Sequence, residues 1–435
     1  MRIIIIGAGV GGCASFLFLR KYLPADNHSI KLIEAHANPL ETSTIIGGGL
    51  GLAPNGLRTL SLIDEALPRK ITSLGFEAPM AEFRTGPRDQ FLGLYVMGRK
   101  ERYGWSNLMV QRATVHECIL EEAIKADAGA GDVQFGRKVA SVDSTGTDRC
   151  MKVTFEDGST EEADLVIGAD GRRSTIRDFV AGKHVDGLNG IGGFVPLSYI
   201  EPYVEHTQSP LIMTWGSMGF FGFSPIGSGP ATKSAERKAM WWSVYASDTP
   251  ATPDSPRAPI KQQLQARFRG FEGAIPKIID ALCTGAPGVS DIIVFPRYRL
   301  PEFLERWDRP GAVLVGDAGH IALPESGQGV SFAVEDAATF AMLLKRYLEA
   351  IPDEAKAAEC AGQSYSQIRK PRVEKTIIAA TRNANNKRGM GPWQRWIRDW
   401  FIWIWCKLAR ESSGDELFAH KVEEAVDKHL TEKGY

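Results

Sequence analysis

The sequence has few cysteines, and their spacing gives no sign of pairing. The six lie far apart along the 435 residues: Cys13, Cys118, Cys150, Cys283, Cys360 and Cys406. Because no C-x-x-C motif occurs, neither a zinc ribbon nor a redox-active dithiol is expected. Isolated thiols are typical of proteins from reducing compartments, so we expect a cytoplasmic protein.

The sequence also lacks a targeting segment, a membrane span and an excess of charge. The N-terminal MRIIIIGAG has neither the long apolar core nor the small-residue cleavage site of a secretory signal peptide. No apolar run reaches about eighteen residues, which argues against an ordinary spanning helix. With 51 basic and 52 acidic residues, the net formal charge is −1, so no nucleic-acid partner is expected.

Motifs of several enzyme classes are missing as well. The sequence contains no G-x-S-x-G elbow and no H-E-x-x-H, so an α/β-hydrolase and a zinc protease are not expected, and no metal site is predicted. The length of 435 residues exceeds one ordinary core and indicates two or three domains.

The first 34 residues have the pattern of a dinucleotide-binding βαβ unit. A β-branched run, Ile3–Ile6, predicts a buried strand, and Gly7, Gly9 and Gly12 follow it as G-x-G-x-x-G. These glycines would allow a tight turn, close approach of a pyrophosphate and close packing of the next helix. A second predicted strand ends in Glu34, which can accept hydrogen bonds from an adenosine ribose. This acid favours FAD or NAD over a 2′-phosphorylated cofactor.

Two later strand ends also carry an aspartate beside a glycine. GADGRRSTIRD, residues 168–178, follows a buried run and contains Asp170. A second buried run ends at Gly316-Asp317, and Gly327-Gln328-Gly329 then begins a helix. The Asp317 carboxylate could bind a sugar or ribityl hydroxyl, and the helix N-terminus a phosphate or an electron-rich ring edge. An ordinary strand–loop–helix connection with a capping aspartate would give the same pattern.

Together these motifs resemble the FAD-dependent aromatic hydroxylases, the class A flavoprotein monooxygenases with the para-hydroxybenzoate hydroxylase fold. The likeness is greatest to the salicylate hydroxylase-like branch, including fungal natural-product monooxygenases, and extends to about residue 375. The resemblance implies an α/β fold: a Rossmann-like FAD-binding domain with an inserted mixed β-sheet substrate domain and a C-terminal helical tail. The implied parts are FAD-binding segments 1–75, 105–180 and 296–375, substrate-domain segments 76–104 and 181–295, and the tail 376–435.

The resemblance also assigns roles to residues. Asp170 would lie against the pyrophosphate, and Arg177 would suit the phosphates of the dinucleotides that meet there. Asp317 would bind the ribityl or ribose side, and Pro324 would border the reaction site. Further backbone and side-chain contacts to FAD are implied for Gly48, Arg112, Gly327, Gly329 and Val330.

The implied chemistry is insertion of one oxygen atom from O2, with bound FAD and with NADPH or NADH as a transient co-substrate. A flavin C4a-hydroperoxide would hydroxylate an aromatic, phenol- or indole-like small molecule, which would suit secondary metabolism. Two alternatives stay open: epoxidation of a lipophilic prenylated substrate, and a flavin-binding carrier without oxygen transfer. His320 could act as a general base, although a histidine in a tight loop is more often a structural hydrogen-bonding group.

The stretches 212–227 and 238–246 predict strands of the substrate domain. Their aromatic side chains are candidates for the substrate pocket, with Tyr245 also a candidate catalytic residue: Trp215, Phe221, Phe223, Trp242 and Tyr245. Because alternate residues of a strand point to opposite faces, at most half of them can line one pocket.

The tail contains PWQRWIRDWFIWIWCKLAR, residues 392–410, with tryptophans on one helical face and Arg395, Arg398 and Asp399 opposite. Three interpretations are possible. The helix could cap the active-site mouth or the FAD-binding domain, lie on a membrane surface near a lipophilic substrate, or form a dimer interface. We therefore expect a monomer or homodimer, with possible peripheral membrane contact through this segment.

Overall fold

The computed structural model describes residues 1–38, 48–145, 150–181, 186–205, 207–216, 219–227, 237–245, 255–299, 303–321, 327–385, 391–409 and 411–435. The strands are β1 (Arg2–Ile6), β2 (Ser29–Ile33), β3 (Gly49–Leu52), β4 (Phe76–Glu77), β5 (Met80–Thr85), β6 (Gln90–Val96), β7 (Leu108–Gln111), β8 (Val133–Gln134), β9 (Val139–Ser144), β10 (Met151–Phe155), β11 (Thr160–Ala163), β12 (Leu165–Gly168), β13 (Asp186–Pro196), β14 (Ile212–Trp215), β15 (Phe220–Ile226), β16 (Lys238–Tyr245), β17 (Ile293–Arg299), β18 (Asp308–Arg309) and β19 (Ala312–Leu314).

The helices connect and cover these strands. They are α1 (Val10–Tyr22), α2 (Pro54–Ser61), α3 (Ala66–Ser73), α4 (Lys100–Tyr103), α5 (Arg112–Asp127), α6 (Thr175–Ala181), α7 (Glu201–Val204), α8 (Arg257–Arg267), α9 (Ala274–Thr284), α10 (Gly329–Ala350), α11 (Glu354–Asn385), α12 (Pro392–Leu408), α13 (Asp415–Phe418) and α14 (Val422–Lys433). The predicted α/β fold with a C-terminal helical tail is confirmed.

A six-stranded sheet with the order β18-β19-β12-β1-β2-β8 forms the centre of the first layer. Strands β19, β12, β1, β2 and β8 run parallel, and β18 is antiparallel to β19. The apolar runs of β1 and β12 are buried, as expected for parallel strands covered on both faces. Helices α1 and α10 pack together in this core. Because β2, β1, β12 and β19 are parallel neighbours, their carboxyl ends lie side by side.

The second large sheet has the order β17-β13-β16-β15-β14-β5-β6 and is mixed. All its pairs are antiparallel except β14 with β5, which run parallel with Ile212 opposite Glu82. Strands β5 and β6, from the predicted 76–104 segment, thus lie in the same sheet as the strands of 181–295. The exact domain boundaries stay a prediction.

Helices α8 and α9 cover one face of this second sheet and bury a core around Phe221, Trp241 and Phe268. The opposite face is turned towards the FAD-binding strands. A Cβ added to Gly49 in β3 would lie 2.2 Å from the Met240 Sδ and 2.5 Å from the Ile226 Cδ1. The site must therefore lie on this second face, between the two layers.

Candidate cofactor and substrate site

The predicted cofactor residues meet at one edge of the six-stranded sheet. Neighbouring strands β2, β1, β12 and β19 end in Glu34, the glycine loop, Asp170 and Asp317 respectively. Their carboxyl ends form a continuous row, which is where ligands bind in open parallel sheets. The three motifs, separated by up to about three hundred positions in sequence, are neighbours because their strands are.

The glycine loop has no room for side chains at its first and third glycines. Gly7 has a φ of +98°, and an added Cβ would stand 2.6 Å from the Ala169 carbonyl oxygen. At Gly12 the Cβ would lie 1.8 Å from the Gly7 carbonyl oxygen, which is far inside contact distance. At Gly9, by contrast, no described atom comes within 4 Å of that position. The loop is thus closed towards the protein and open above Gly9, as a pyrophosphate would need.

Glu34 and His116 hold this loop in place. The Ala8 N–H donates to one Glu34 carboxylate oxygen at 2.7 Å, and the His36 N–H donates to the other at 2.9 Å. From α5, the His116 Nε2–H donates to the Ala8 carbonyl oxygen at 2.6 Å. Burial lowers the pKa of His116, so its ring is neutral, with the proton on Nε2. Glu34 therefore lies where the ribose is expected, and His116 is a supporting residue that the sequence pattern did not indicate.

Gly48 and Arg112 lie together beside this loop. The Arg112 N–H donates to the Gly48 carbonyl oxygen at 3.1 Å, at the point where β7 passes into α5. The Arg112 side chain is exposed and forms no ion pair with the part of the chain that the structure describes. It is thus available to a phosphate, as the resemblance implies.

Asp170 and Arg177 stabilise the loops themselves. One Asp170 oxygen accepts the Thr175 N–H at 2.7 Å and caps α6, while Oδ1 is buried without a hydrogen-bond partner among the described residues. Burial raises the pKa of this carboxyl group. That unsatisfied oxygen suits contact with a cofactor.

Arg177 lies between two of the strand-end loops. Its guanidinium is buried and donates to the backbone carbonyls of Asp317 and Ala318, both at 3.2 Å, and of Arg172 at 2.5 Å. These bonds tie the β12 loop to the β19 loop, and the predicted contact of Arg177 with phosphates stays a prediction. The Arg177 Nε has no hydrogen-bond partner among the described residues, and the sequence does not reveal which acceptors its other nitrogens meet.

Asp317 lies at the end of β19, half-buried, and its carboxylate accepts no hydrogen bond from the described residues. The preceding Gly316 has a φ of +61° and donates its N–H to Asp336 at 3.0 Å, which fixes the turn. The backbone of Asp317 is thus held while its side chain stays available. This is the geometry that a ribityl-binding aspartate needs.

Asp317→Ala is expected to weaken FAD binding by about 10- to 100-fold, the effect of losing one charge-assisted hydrogen bond of about 1.5–3 kcal/mol. The stability of the FAD-free protein should hardly change, because the carboxylate has no partner in the described chain. Titration of FAD-free protein with FAD, followed by fluorescence quenching, checks this. An unchanged dissociation constant would remove Asp317 from the cofactor site.

The N-terminus of α10 faces the same edge. Gly327 and Gly329 have no described atom within 4 Å of an added Cβ, and Val330 follows at the first turn, half-buried. From α2, the Asn55 side-chain amide donates to the Gln328 Oε1 at 3.0 Å. Asn55 is fully buried, so it fixes this helix end; the sequence analysis did not identify it. Pro324 lies outside the described residues, and its role stays a prediction.

His320 belongs to a buried charged network behind this helix end. Its Nε2 lies 2.5 Å from the Asp336 Oδ2, and Arg369 bonds both Asp336, at 2.8 Å, and Glu335, at 2.5 Å. Burial alone would raise the pKa values of both carboxyl groups. At Glu335, the charges of Arg369 and Arg372 hold the pKa below its usual range. At Asp336, His320 and Arg369 have the same effect. The His320 ring is enclosed by protein, which favours the structural alternative, and its catalytic role stays a prediction.

The network continues to the C-terminal segment, where acid should destabilise the protein. Arg372 bonds the carbonyls of Glu416 and Leu417, and burial lowers the pKa of nearby His420 to about 4. Because the unfolded chain binds this proton near pH 6.5, stability is complete above that pH and decreases as the pH falls towards 4, by up to about 3 kcal/mol.

His420→Gln should flatten this part of the profile. Urea unfolding of both proteins at pH 7.5 and pH 5 measures the difference. If the two proteins lost equal stability on acidification, His420 would not be the group responsible.

The two faces of the second sheet separate the predicted substrate residues. Phe221 and Phe223 are buried against α8 and α9, and Tyr245 lies on that same face under the Arg267 guanidinium, 4.7 Å from its ring centre. The structure therefore does not bring these three predicted pocket and catalytic side chains to the face towards the FAD-binding layer, because strand alternation turns them away from it. Trp215 and Trp242 lie on the face towards the FAD-binding layer.

That face carries a continuous row of aromatic rings. Phe83 meets Trp215 edge-on at 4.8 Å, Trp215 meets Phe220 at 5.4 Å, and Phe220 meets Trp242 at 6.3 Å between ring centres. Trp242 lies over Gly222, whose absent side chain makes the room. Such a row offers a flat apolar wall for an aromatic ligand. Among the described residues, no cluster of His, Cys, Asp and Glu could hold a metal ion.

These residues fit FAD. The open positions above Gly9, Gly327 and Gly329, the unpaired Asp170 oxygen and the available Asp317 carboxylate form one continuous row along the strand ends. Two helix N-termini, of α1 and α10, direct backbone N–H groups at it, which suits the anionic pyrophosphate and the electron-rich edge of a flavin.

Comparison with known proteins agrees with this geometry. Residues 1–380 match the family described as FAD binding domain. Hispidin-3-hydroxylase of Neonothopanus nambi is 28% identical over 397 residues, 86% of each chain. Salicylate hydroxylase of Pseudomonas putida is 26% identical over 401 residues, 86% of this chain and 83% of its own.

Among solved structures, CtdE in complex with FAD and substrate has a TM-score of 0.77 at 16% identity, covering 99% of this chain and 98% of its own. Klebsiella pneumoniae HpxO complexed with FAD and uric acid has a TM-score of 0.72 at 21% identity, covering 99% and 97%. The chain belongs to the FAD-binding domain family and is one of its FAD-dependent monooxygenases. The predicted resemblance and cofactor are confirmed.

Proposed function

We propose that this protein uses NADPH or NADH and O2 to hydroxylate an aromatic, phenol- or indole-like small molecule. The observation that carries the proposal is the aromatic row Phe83–Trp215–Phe220–Trp242, which faces the cofactor edge across the two layers. The names of the relatives, which include hispidin, salicylate and 3-amino-4-hydroxybenzoate enzymes, support an aromatic substrate.

Bound FAD supplies the chemistry of electron transfer and oxygen activation. The protein's own part is to bind, orient and exclude water. Glu34, Asp170 and Asp317 would hold the cofactor from the strand ends, and the N-terminus of α10 would stabilise negative charge on its ring. Trp215 and Trp242 would hold the substrate ring flat, while the buried network behind α10 keeps that helix end rigid.

The decisive experiment supplies isotopically labelled O2 with NADPH or NADH and a panel of phenols and indoles. We expect a substrate that accelerates NAD(P)H oxidation and whose product gains one labelled oxygen atom. If FAD-loaded protein oxidised NAD(P)H only to hydrogen peroxide with every ring tested, the hydroxylase proposal would fail. A protein that bound FAD but oxidised no NAD(P)H at all would instead favour the flavin carrier.

Epoxidation of a lipophilic alkene is the second candidate. One observation favours it: helix α12, which packs over this substrate wall, carries a large exposed apolar face. The same labelled-oxygen assay with prenylated compounds distinguishes the two, because an epoxide and a phenol differ in their reaction with mild acid.

We also propose that the protein works in the cytoplasm. All six cysteines are free thiols, three of them buried, which suits a reducing compartment. No helix within the described ranges is long and apolar enough to cross a lipid bilayer.

A further inference from the structure

Helix α12 is amphipathic, but it turns its apolar side away from the protein. Large exposed residues lie on one side of it, related by helical spacings of three, four or seven positions: Trp393 (77%), Trp396 (61%), Ile397 (58%), Trp400 (55%), Phe401 (68%) and Leu408 (73%). An amphipathic helix of a globular protein normally buries such a stripe. A contiguous apolar surface of this kind marks an interaction site.

The orientation is fixed by polar contacts on the opposite side. The Arg398 guanidinium donates to the Gly216 carbonyl and to the Thr85 hydroxyl oxygen, each at 3.1 Å. The Thr85 hydroxyl donates to Asp399 at 2.8 Å. Rotating the helix to bury its tryptophans would break these bonds and leave the Arg398–Asp399 pair uncompensated. The outward aromatic face is thus built into the fold.

The same helix reaches the substrate wall. Trp405 stacks on Tyr95 at 4.7 Å and lies 6.2 Å from Phe83, the first ring of the aromatic row that includes Trp215. Ile402 and Cys406 pack into this cluster. One side of α12 therefore borders the proposed substrate chamber while its other side carries the exposed tryptophans.

Charge distinguishes the partners that could cover this face. Residues 387–410 contain six basic residues and one acidic residue, in a chain whose net charge is −1: Lys387, Arg388, Arg395, Arg398, Lys407 and Arg410, with Asp399. The acid in this segment is paired with Arg398, which faces the protein, so the positive charge available to a partner comes from the other five basic residues. Three of these, Lys387, Arg388 and Arg410, lie outside the described residues and count here as sequence only. Two copies of this segment would repel each other, whereas an anionic lipid surface attracts it. Tryptophan is also the residue that prefers the headgroup region of a bilayer.

We propose that α12 binds an anionic lipid surface, with its aromatic face in the headgroup region and its polar face on the protein. We also infer the class of substrate, and this inference rests on the proposed function. The substrate is a lipophilic aromatic or alkene that enters the chamber beside α12 directly from the bilayer. The basic segment supplies the attraction, and the tryptophans supply the apolar insertion.

The test uses the full-length, FAD-loaded protein and sedimentation with phosphatidylcholine vesicles, with and without phosphatidylserine. The double variant Trp396→Gln/Trp400→Gln removes two exposed rings that stack on each other. The matched control is Ile124→Gln/Ile378→Gln, which removes two exposed apolar residues, 48% and 42% exposed, from α5 and α11. We expect wild type and control to bind phosphatidylserine vesicles, and the tryptophan variant to bind at least about 10-fold more weakly.

Several outcomes would overturn the proposal: no vesicle binding by wild type, equal binding by the tryptophan variant, or a wild-type dimer that only this variant dissociates in analytical ultracentrifugation. The FAD content and NAD(P)H oxidation of each protein are measured in parallel. Vesicle binding by a protein that transfers no oxygen would leave the lipid surface standing while the proposed function failed. Oxygen transfer without vesicle binding would support the proposed function and overturn the lipid-surface proposal.

Discussion

Gly12→Ala is expected to give a protein that has lost essentially all its FAD, with binding weakened by more than about 100-fold, or about 2.7 kcal/mol. The added Cβ would stand 1.8 Å from the Gly7 carbonyl oxygen, and backbone cannot yield as a flexible side chain does. Helix α1 must move away from the loop, which misplaces the N–H groups meant for the pyrophosphate. The ratio of flavin to protein absorbance after purification measures the loss.

Two further alanine variants separate the causes. At Gly9 an added Cβ meets no described atom within 4 Å, so Gly9→Ala should keep the thermal stability of the FAD-free protein and still weaken FAD binding. Gly391→Ala, at an exposed position before α12, should change neither the thermal stability nor the FAD binding. Full FAD content in Gly12→Ala, with an unchanged melting temperature, would contradict the geometry of the loop.

Arg369→Met is expected to cost about 3–5 kcal/mol of the free energy of unfolding. Arg369 is fully buried and is the shared partner of Glu335 and Asp336, both also fully buried. Removing one member of a buried ion pair leaves uncompensated charge, which costs far more than the pair contributed. Urea unfolding of the FAD-free protein at pH 7.5 measures the change.

Lys375→Met on the same helix is the matched control, because its ion pair with Glu416 is largely exposed and should contribute less than about 1 kcal/mol. Adding Asp336→Asn to Arg369→Met should recover part of the loss by removing one stranded charge. A loss below about 1 kcal/mol in Arg369→Met would mean that the network contributes little to stability.

The cofactor edge was predictable because each of its signals is local. A few neighbouring residues are enough to identify a glycine that must adopt a positive φ or a close backbone contact, such as Gly7 and Gly12. The same holds for an acid that follows a buried strand, such as Glu34 and Asp317. The order of the strands in the sheet then brings them together, and that order is seen only in the structure.

The other site assignments depended on tertiary contacts that a single sequence does not show. Alternation along β15 showed that Phe221 and Phe223 share a face, but not which face the helices cover. For Arg177, the sequence shows a positive charge but not the groups that its guanidinium contacts. Helix α12 was ambiguous for a related reason, because its pattern shows two faces and only the packed structure shows that Arg398 is the inward one.

The contact between Thr85 and Asp399 joins residues 314 positions apart, and it has a consequence for biosynthesis. The β5–β6 hairpin leaves the ribosome long before its neighbour β14 and longer still before α12. Until the last part of the chain emerges, Phe83 and Tyr95 lack the Trp405 ring that stacks on them, and exposed apolar rings beside a sheet edge are prone to aggregate. Synthesis of this protein should therefore place an unusual demand on chaperones that shield nascent chains, and a ribosome stalled shortly before α12 should display an intermediate that they bind.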